Sequence, residues 1–301
     1  MEIIKVSPRG YCRGVIQAIQ IAKQTIKDYP DMPVYMLGMI VHNQYIVQEF
    51  QKAGVICLED NHCSRLELLD QIDHGVVIFT AHGVSDAVYQ KAEAKGLIIV
   101  DATCRDVKTT HDIVREHCKS HDVIYIGKHN HPEAEGVVGL SNRVYLVSSV
   151  EEASSLPALD HPLITCQTTL SMMDTEKLIQ YCLSLYPDAV LMNEICNATT
   201  IRQKAVLELK NVDVLIVVGD PHSNNSNQLK KCGQDAGIPR SYLIEHALEL
   251  KQEMFKKTDR IAVTSGSSTP SVLTEQVISV LNQYAETGQF ILPDALPSSM
   301  F

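Results

Sequence analysis

Short apolar runs of strand length alternate with amphipathic windows along nearly the whole chain. The window after the first run places one set of apolar residues on a single helical stripe, namely Val15, Ile16, Ile19, Ala22 and Ile26, and later windows behave similarly. This alternation is typical of an α/β fold with mostly parallel sheets. The predicted strands are Ile3–Val6, Val34–Leu37, Val76–Phe79, Leu97–Val100, Val123–Ile126, Leu163–Thr165, Ala189–Met192, Val214–Val218 and Ile261–Val263.

Three of the predicted strand-to-helix junctions carry a cysteine. Cys12, Cys104 and Cys196 are separated by two equal intervals of 92 residues. After each cysteine a second strand ends in glycine and a third strand ends in a small polar loop. The glycines are Gly38, Gly127 and Gly219, and the polar loops contain His82, Thr168 and Ser268. The chain therefore repeats one architectural unit of about ninety residues three times.

We expect a pseudo-threefold trefoil of three small α/β domains. The predicted domains are 1–100 with Cys12, 101–192 with Cys104, and 193–301 with Cys196 and a C-terminal tail. Open parallel sheets bind ligands beyond the carboxyl ends of their strands, which is where the polar loops fall. The trefoil would bring the three cysteines together at its axis, with the polar loops around them.

Composition narrows the range of functions. The chain has 301 residues and a formal net charge of −10, which argues against nucleic acid or an anionic membrane as the main partner. No apolar run reaches the length of a membrane span, and the N-terminus lacks the features of a signal peptide. We expect a cytoplasmic protein. Nine cysteines, an odd number without any C-x-x-C pair, do not suggest a disulfide framework in that reducing compartment.

Three equivalent thiolates suit either a zinc ion or a cubane iron–sulfur cluster with one iron left open. The alternative is that Cys12, Cys104 and Cys196 are small buried hydrophobic residues, although their matched spacing argues against it. The remaining cysteines share no such pattern and are assigned to packing or the surface. They are Cys57, Cys63, Cys118, Cys166, Cys182 and Cys232.

Two strand-end loops have the chemistry of anion sites. PHSNNSNQL places Ser223, Asn224 and Asn225 at the start of a predicted helix, where side-chain donors, unpaired N–H groups and the helix dipole favour an anion. SGSSTPS offers a similar nest around Ser268. Helix capping would explain one or two of these residues but not both runs.

Histidines and one carboxylate complete the candidate chemistry. His42, His82 and His131 lie at the same strand-end level, which favours function over the structural role that a lone histidine usually has. The loop HPEAEG holds Glu133 and Glu135, and a carboxylate beside a metal-bound oxygen is a natural proton donor. We favour Glu133 as the inward-facing acid.

These motifs together resemble the 4-hydroxy-3-methylbut-2-enyl diphosphate reductase family, across essentially the whole chain. The motifs are PRGYCRGV, GMIVHN, TAHGVS, DATC, HPEAEG, QTTLS, EICNATTIRQ, SNNSN and TSGSSTP. The resemblance implies a trefoil around one [4Fe–4S] cluster held by Cys12, Cys104 and Cys196. It implies that the open iron binds the substrate hydroxyl as a Lewis acid. Two electrons and protons then remove the hydroxyl as water, giving isopentenyl and dimethylallyl diphosphate in the last step of the methylerythritol phosphate route.

The resemblance also implies roles for the remaining residues. Glu133 would carry protons, Thr168 would position the substrate hydroxyl, and His131 would support the site and contact the substrate. The residues expected to hold the diphosphate are His42, His82, Ser223, Asn225 and Ser268, with Asn224 and Thr199 nearby. The expected partners are the allylic diphosphate and an electron donor of ferredoxin or flavodoxin type, with no nucleic acid.

Some positions depart from the family pattern. Met39 replaces a common glutamate, Arg105 replaces a common proline, and Asn224 replaces a common serine. The tail from Ile291 to Phe301 has no assigned role. Two other functions stay open. One is a non-redox lyase or condensing enzyme with a three-cysteine cluster, as in quinolinate synthase, and the other is an iron–sulfur sensor.

Overall fold

The computed structural model describes residues 1–60, 62–192 and 195–297. The strands are β1 (Glu2–Lys5), β2 (Val34–Leu37), β3 (Ile56–Leu58), β4 (Val76–Phe79), β5 (Ile98–Asp101), β6 (Val123–Ile126), β7 (Val144–Val147), β8 (Leu163–Cys166), β9 (Val190–Leu191), β10 (Val214–Val218), β11 (Arg240–Ile244) and β12 (Arg260–Ser265). The α-helices are α1 (Arg13–Asp28), α2 (Gln44–Lys52), α3 (Arg65–Leu68), α4 (Asp86–Ala94), α5 (Arg105–His117), α6 (Pro132–Val138), α7 (Val150–Ser154), α8 (Met172–Leu185), α9 (Asn197–Leu207), α10 (Asn224–Asp235) and α11 (Ser271–Thr287). Short 3₁₀ helices lie at Leu69–Gln71, Ala247–Glu249 and Gln252–Met254.

The described strands form three four-stranded sheets in which every pair is parallel. The orders are β3-β2-β4-β5, β7-β6-β8-β9 and β11-β10-β12-β1, so all three sheets share one topology. The prediction of three small parallel α/β units is therefore confirmed.

One sheet joins strands from two of the predicted domains. The strand before Cys12, β1, pairs with β12 near the other end of the chain. In the same way β5, before Cys104, pairs with β4, and β9, before Cys196, pairs with β8. Each cysteine-bearing strand thus completes the sheet of the preceding repeat, in cyclic order. The limits 1–100, 101–192 and 193–301 remain a prediction.

Each sheet has four strands, whereas the sequence pattern predicted three strands for each repeat. The strands that were not predicted, β3, β7 and β11, lie at sheet edges. Strand β11 (RSYLI) begins with two polar residues, whereas β3 (ICL) and β7 (VYLV) are short apolar runs that the sequence analysis did not assign to strands. The central strands β4, β6 and β10 are buried along their whole length, and all three were predicted with their observed limits.

The chain divides into two compact units, which we describe separately. The terminal unit comprises residues 1–12 and 42–44 and the chain from 197 on, and it contains β1, β10, β11 and β12. The middle unit comprises the described residues of 13–41 and 45–196 and contains the other two sheets. No helix in the described ranges is long and apolar enough to cross a membrane.

Strand β6 shows how the sequence produces these cores. Ile124 and Ile126 pack into the apolar cluster on one face of its sheet, while Val123 and Tyr125 pack into the cluster on the other face. Helices α8 and α6 contribute residues to the two clusters, so both faces of the sheet are covered. An uninterrupted apolar run is what such a strand requires.

Candidate active site

Each of the three repeat cysteines lies directly before the first residue of a helix. Cys12 precedes α1, Cys104 precedes α5 and Cys196 precedes α9. All three are half-buried, reduced thiols. A helix N-terminus is a common position for metal-binding and reactive cysteines, because it stabilises negative charge.

The backbone of each cysteine is held by the polar loop that follows the third predicted strand of a repeat. In the terminal unit the Cys12 N–H donates to the Ser267 carbonyl (3.1 Å). In the middle unit the Cys104 N–H donates to Ala81 (3.0 Å) and the Cys196 N–H donates to Thr168 (3.2 Å). The repeat thus extends to individual hydrogen bonds. Three reduced thiols, each fixed at a strand-end loop, form a donor set that fits an iron–sulfur cluster.

The loop that carries Cys12 requires glycine at position 10. Gly10 has φ +76°, and a Cβ there would lie 2.5 Å from the Ser271 hydroxyl oxygen. Its N–H donates to the Ser265 hydroxyl (2.8 Å), and its carbonyl accepts from the guanidinium of Arg202 (2.8 Å). Arg202 is buried, and it was not singled out in the sequence. Its sequence signal is an arginine two turns along the helix that follows Cys196.

The start of α10 and the loop after β12 form a buried polar cluster in the terminal unit. Ser223 caps α10 by accepting from the Ser226 N–H. The Asn225 side chain donates to the Thr199 hydroxyl (3.3 Å) and accepts from the Ser267 N–H (3.1 Å). Ser223, Asn225 and Thr199 are each no more than 3% exposed. Polar side chains are rarely buried so completely without a ligand or a hydrogen-bond network to satisfy them.

His42 belongs to the same cluster. Its carbonyl accepts from the Ser268 hydroxyl (2.9 Å). Residues 42–44 are anchored further by the Gln44 N–H, which donates to the buried carboxylate of Asp220 (2.8 Å). The terminal unit therefore contains the following predicted diphosphate residues: His42, Thr199, Ser223, Asn224, Asn225 and Ser268.

The middle unit contains the acid predicted to carry protons. Glu133 is 2% exposed and accepts two hydrogen bonds from Thr168, one from its N–H (2.7 Å) and one from its hydroxyl (2.9 Å). Burial raises the pKa of Glu133 to about 7, and the negative charge of Asp106 adds to the rise while the Thr168 bonds oppose it. A carboxyl with a pKa near neutrality can hold a proton and release it under ordinary conditions.

Tyr125 lies beside this carboxyl. Its hydroxyl is buried and favours the ionised form of Glu133, although it makes no hydrogen bond of ordinary length with the described residues. The sequence analysis missed Tyr125 because it stands inside an apolar run. Its signal is that it is the single polar group in strand β6.

His131 caps the helix that carries Glu133. Its Nδ1 accepts from the Glu133 N–H (3.2 Å), so in the neutral ring the proton lies on Nε2. The rings of His131 and His82 are 5.8 Å apart and nearly perpendicular. The middle unit thus brings together His82, His131, Glu133 and Thr168, each of which lies next to the following one in that order.

Glu135 differs from Glu133 although both are on α6. Its side chain is exposed and accepts from the Arg65 N–H at the start of α3 (2.8 Å).

At position 39, where the family commonly has glutamate, the Met39 N–H donates to the carboxylate of Glu59 (2.9 Å), and Glu59 pairs with Arg65 (3.3 Å). Arg105 is exposed, so it faces solvent.

Residues 3–282 match the family model described as LytB protein. Two curated relatives are named 4-hydroxy-3-methylbut-2-enyl diphosphate reductase. The protein from Brevibacillus brevis is 46% identical over 294 residues, which cover 95% of this chain and 93% of the relative. The protein from Halalkalibacterium halodurans is 44% identical over 290 residues, which cover 94% and 91%.

Solved structures give the same result. The reductase of Plasmodium falciparum, named as acting on E-1-hydroxy-2-methyl-but-2-enyl-4-diphosphate, has a TM-score of 0.88 at 29% identity, covering 99% of this chain and 94% of that one. A second structure, named as the terminal enzyme of the non-mevalonate pathway, has a TM-score of 0.66 at 28% identity and covers 94% of this chain. The resemblance seen in the motifs is confirmed, and the chain belongs to the LytB protein family.

Proposed function

We propose that this chain reduces (E)-4-hydroxy-3-methylbut-2-enyl diphosphate to isopentenyl and dimethylallyl diphosphate. The allylic C–O bond breaks, two electrons enter the carbon skeleton, one proton leaves with the hydroxyl as water and a second proton is added to carbon. The observation that carries this proposal is the buried pair of Glu133 and Thr168, because a reaction that consumes protons needs an acid with a pKa near neutrality.

The cofactor we propose is one [4Fe–4S] cluster held by Cys12, Cys104 and Cys196. When bound, it supplies electrons one at a time and an iron without a cysteine ligand as a Lewis acid for the hydroxyl oxygen. The support comes from the three half-buried thiols at helix starts and from their matched loop hydrogen bonds. A small one-electron carrier of ferredoxin or flavodoxin type would be the electron donor.

The proton would reach the leaving oxygen through Thr168. Its hydroxyl bonds to the Glu133 carboxyl, and a hydroxyl can accept one proton while donating another. A protonated Glu133 can therefore pass its proton to Thr168 as Thr168 passes its own to the substrate oxygen. His131 holds α6 by capping it, so that Glu133 keeps its position against Thr168.

The diphosphate would bind to donors of the terminal unit. Ser223, Asn224 and Asn225 lie at the start of α10, where N–H groups and the helix dipole favour an anion. Ser268 and His42 supply further donors from neighbouring loops. For His82 and His131 we propose that their N–H groups contact the substrate from the middle unit.

The test is an anaerobic assay of the reconstituted protein with the hydroxylated diphosphate and a chemical reductant. We expect close to four irons for each chain and formation of both isomeric products. Cys104→Ser and Cys196→Ser should lose iron and activity, while Cys118→Ser, a matched half-buried cysteine outside the repeat, should keep both. Protein that binds zinc and stays inactive after reconstitution would overturn the proposal. Protein that binds the cluster but does not oxidise it when substrate is added would favour the lyase or the sensor instead.

A further inference from the structure

Three histidines and two carboxylates gather at the amino ends of neighbouring strands in the middle unit. We name this set the histidine surface cluster, and its members are His117, His121, Asp160, His161 and Asp188. We propose that the cluster binds one divalent transition-metal ion of the zinc type. It lies at the opposite ends of β8 and β9 from Thr168 and Cys196, so the proposed site is separate from the candidate active site.

The sheet topology explains why these residues meet. His121 lies just before β6, Asp160 and His161 just before β8, and Asp188 just before β9. Strands β6, β8 and β9 are adjacent and parallel, so their amino ends lie side by side at one edge of the sheet. The last residue of α5, His117, lies one helical turn from His121, because the His121 N–H donates to the His117 carbonyl (3.0 Å).

His161 has the hydrogen bonding of a metal-binding imidazole. Its Nδ1 lies 3.1 Å from the Asp188 carboxylate, which also accepts from the His161 N–H (3.0 Å). A carboxylate on one ring nitrogen fixes the tautomer and leaves the other nitrogen as a metal ligand. That other nitrogen, Nε2, lies 3.8 Å from an oxygen of Asp160. Two atoms that bind the same zinc ion, each at about 2.0–2.2 Å from it, are separated by only slightly less than this distance.

The ligand atoms of Asp160, His161 and Asp188 all lie within 4.8 Å of one another. The other two histidines lie beside this group, and Nε2 of His117 faces the His161 carbonyl (3.4 Å). The rings of His121 and His161 have centroids 6.3 Å apart, and those of His117 and His121 have centroids 5.1 Å apart. The Ser120 hydroxyl forms a hydrogen bond with Nδ1 of His121 (2.7 Å). Nε2 of His121 is therefore the ring nitrogen that could bind a metal ion. Imidazole and carboxylate together suit zinc and its neighbours in the first transition series.

Charge and exposure also suit a cation. Asp160, His161 and Asp188 expose 90, 60 and 40% of their side chains, so an ion can enter from solvent without opening the fold. The net charge of −10 attracts cations to the surface. A bound ion would connect the end of α5 with the turns before β8 and β9.

The experiment titrates Zn²⁺ into untagged, reconstituted holoenzyme under anaerobic conditions, after dialysis against a chelator. We expect one added equivalent to bind and to raise the melting temperature. His161→Ala should weaken this binding at least tenfold, and His121→Ala should weaken it too. Asp188→Asn, which keeps the shape of the side chain, should weaken it about 10-fold to 100-fold because the tautomer of His161 is no longer fixed.

Two controls show where the ion binds. His62→Ala removes an exposed histidine elsewhere in the middle unit and should leave the titration unchanged. Glu249→Gln alters the other described group of close metal-type ligands, Glu245, His246 and Glu249, and should also leave it unchanged. The proposal is overturned if His161→Ala and Asp188→Asn give the same titration curve as the unaltered chain. It is also overturned if the unaltered chain binds no added equivalent of Zn²⁺. The result is read from zinc binding and melting temperature, so it does not depend on whether the protein has reductase activity.

Discussion

The two candidate regions share one backbone design but hold different chemistry. In the terminal unit and the middle unit alike, a cysteine N–H donates to a strand-end loop and a helix begins at the next residue. Beside this shared backbone arrangement, the buried polar groups of the terminal unit are mainly neutral hydrogen-bond donors, such as Ser223, Asn225 and Ser268. The middle unit instead gathers groups that exchange protons, above all Glu133 and His131.

A repeated backbone scaffold therefore does not require that each repeat has the same function. Neutral hydroxyl and amide donors bind an anion at any pH, because their charge does not change. A buried carboxyl has a shifted pKa, because burial disfavours its charged form. If the proposed roles are correct, changes in the terminal unit alter substrate affinity and changes in the middle unit alter turnover.

The largest effect is expected for Glu133→Gln. The amide keeps the shape and the bonds to Thr168 but cannot deliver a proton, so kcat should fall by roughly 10²–10⁴-fold with KM changed less than about twofold. Steady-state kinetics with a chemical reductant measures both values. Glu135→Gln, on the exposed side of the same helix, is the matched control and should retain near-normal turnover. A Glu133→Gln variant with normal kcat would show that protons come from elsewhere.

A smaller effect of the opposite kind is expected for Asn225→Ala. Loss of one donor to a charged group costs about 1.5–3 kcal/mol, which weakens diphosphate binding roughly 10-fold to 100-fold. Calorimetric titration of substrate into the oxidised enzyme, which does not turn over, measures the affinity. The control is Gln234→Ala at the exposed far end of α10. If Asn225→Ala instead lowers kcat at saturating substrate, the division between the two regions fails.

The smallest effect is a pH dependence confined to the middle unit. The pKa of Glu133 is raised by burial to about 7, so the carboxyl is protonated below that pH and loses its proton above it. As the proton donor it should make kcat fall as pH rises through 7, approaching tenfold per pH unit. A kcat profile over this range tests the assignment, and Asn225→Ala should keep the same profile. A profile of the unaltered enzyme that is flat across pH 7 would contradict the role of Glu133.

Part of the fold was predictable because buried parallel strands have a distinctive sequence. The runs that became β2, β4, β6 and β10 are almost entirely apolar, and β6 shows the reason, because helices cover both faces of its sheet. The edge strands β3, β7 and β11 were not predicted, because β11 begins with polar residues and because short apolar runs such as β3 and β7 are ambiguous by periodicity alone. Pairing of β1 with β12 was not predictable either, because sequence periodicity does not show which strands become neighbours.

The candidate site, like the fold, was predictable only in part. Polar residues at strand ends were visible in the sequence, and so was the spacing of the cysteines. Arg202 and Tyr125 were missed because one lies within a helix and the other within an apolar strand. Arg202 matters because it bonds to Gly10, which is 192 positions away in the chain, and Tyr125 matters because folding places Glu133 of the following helix beside it.

By itself the sequence determined the alternation of strands and helices, the threefold repeat and the residues available for chemistry. These depend on local patterns of apolar side chains, glycine and cysteine, which any reader of the chain can count. The sequence favoured Glu133 as the inward acid, but only the tertiary structure decided that it is buried against Thr168 while Glu135 is exposed, and hence that burial raises the pKa of Glu133. Two acids separated by one residue differ in this way because burial depends on neighbours brought together by folding, and such neighbours leave no local trace in the sequence.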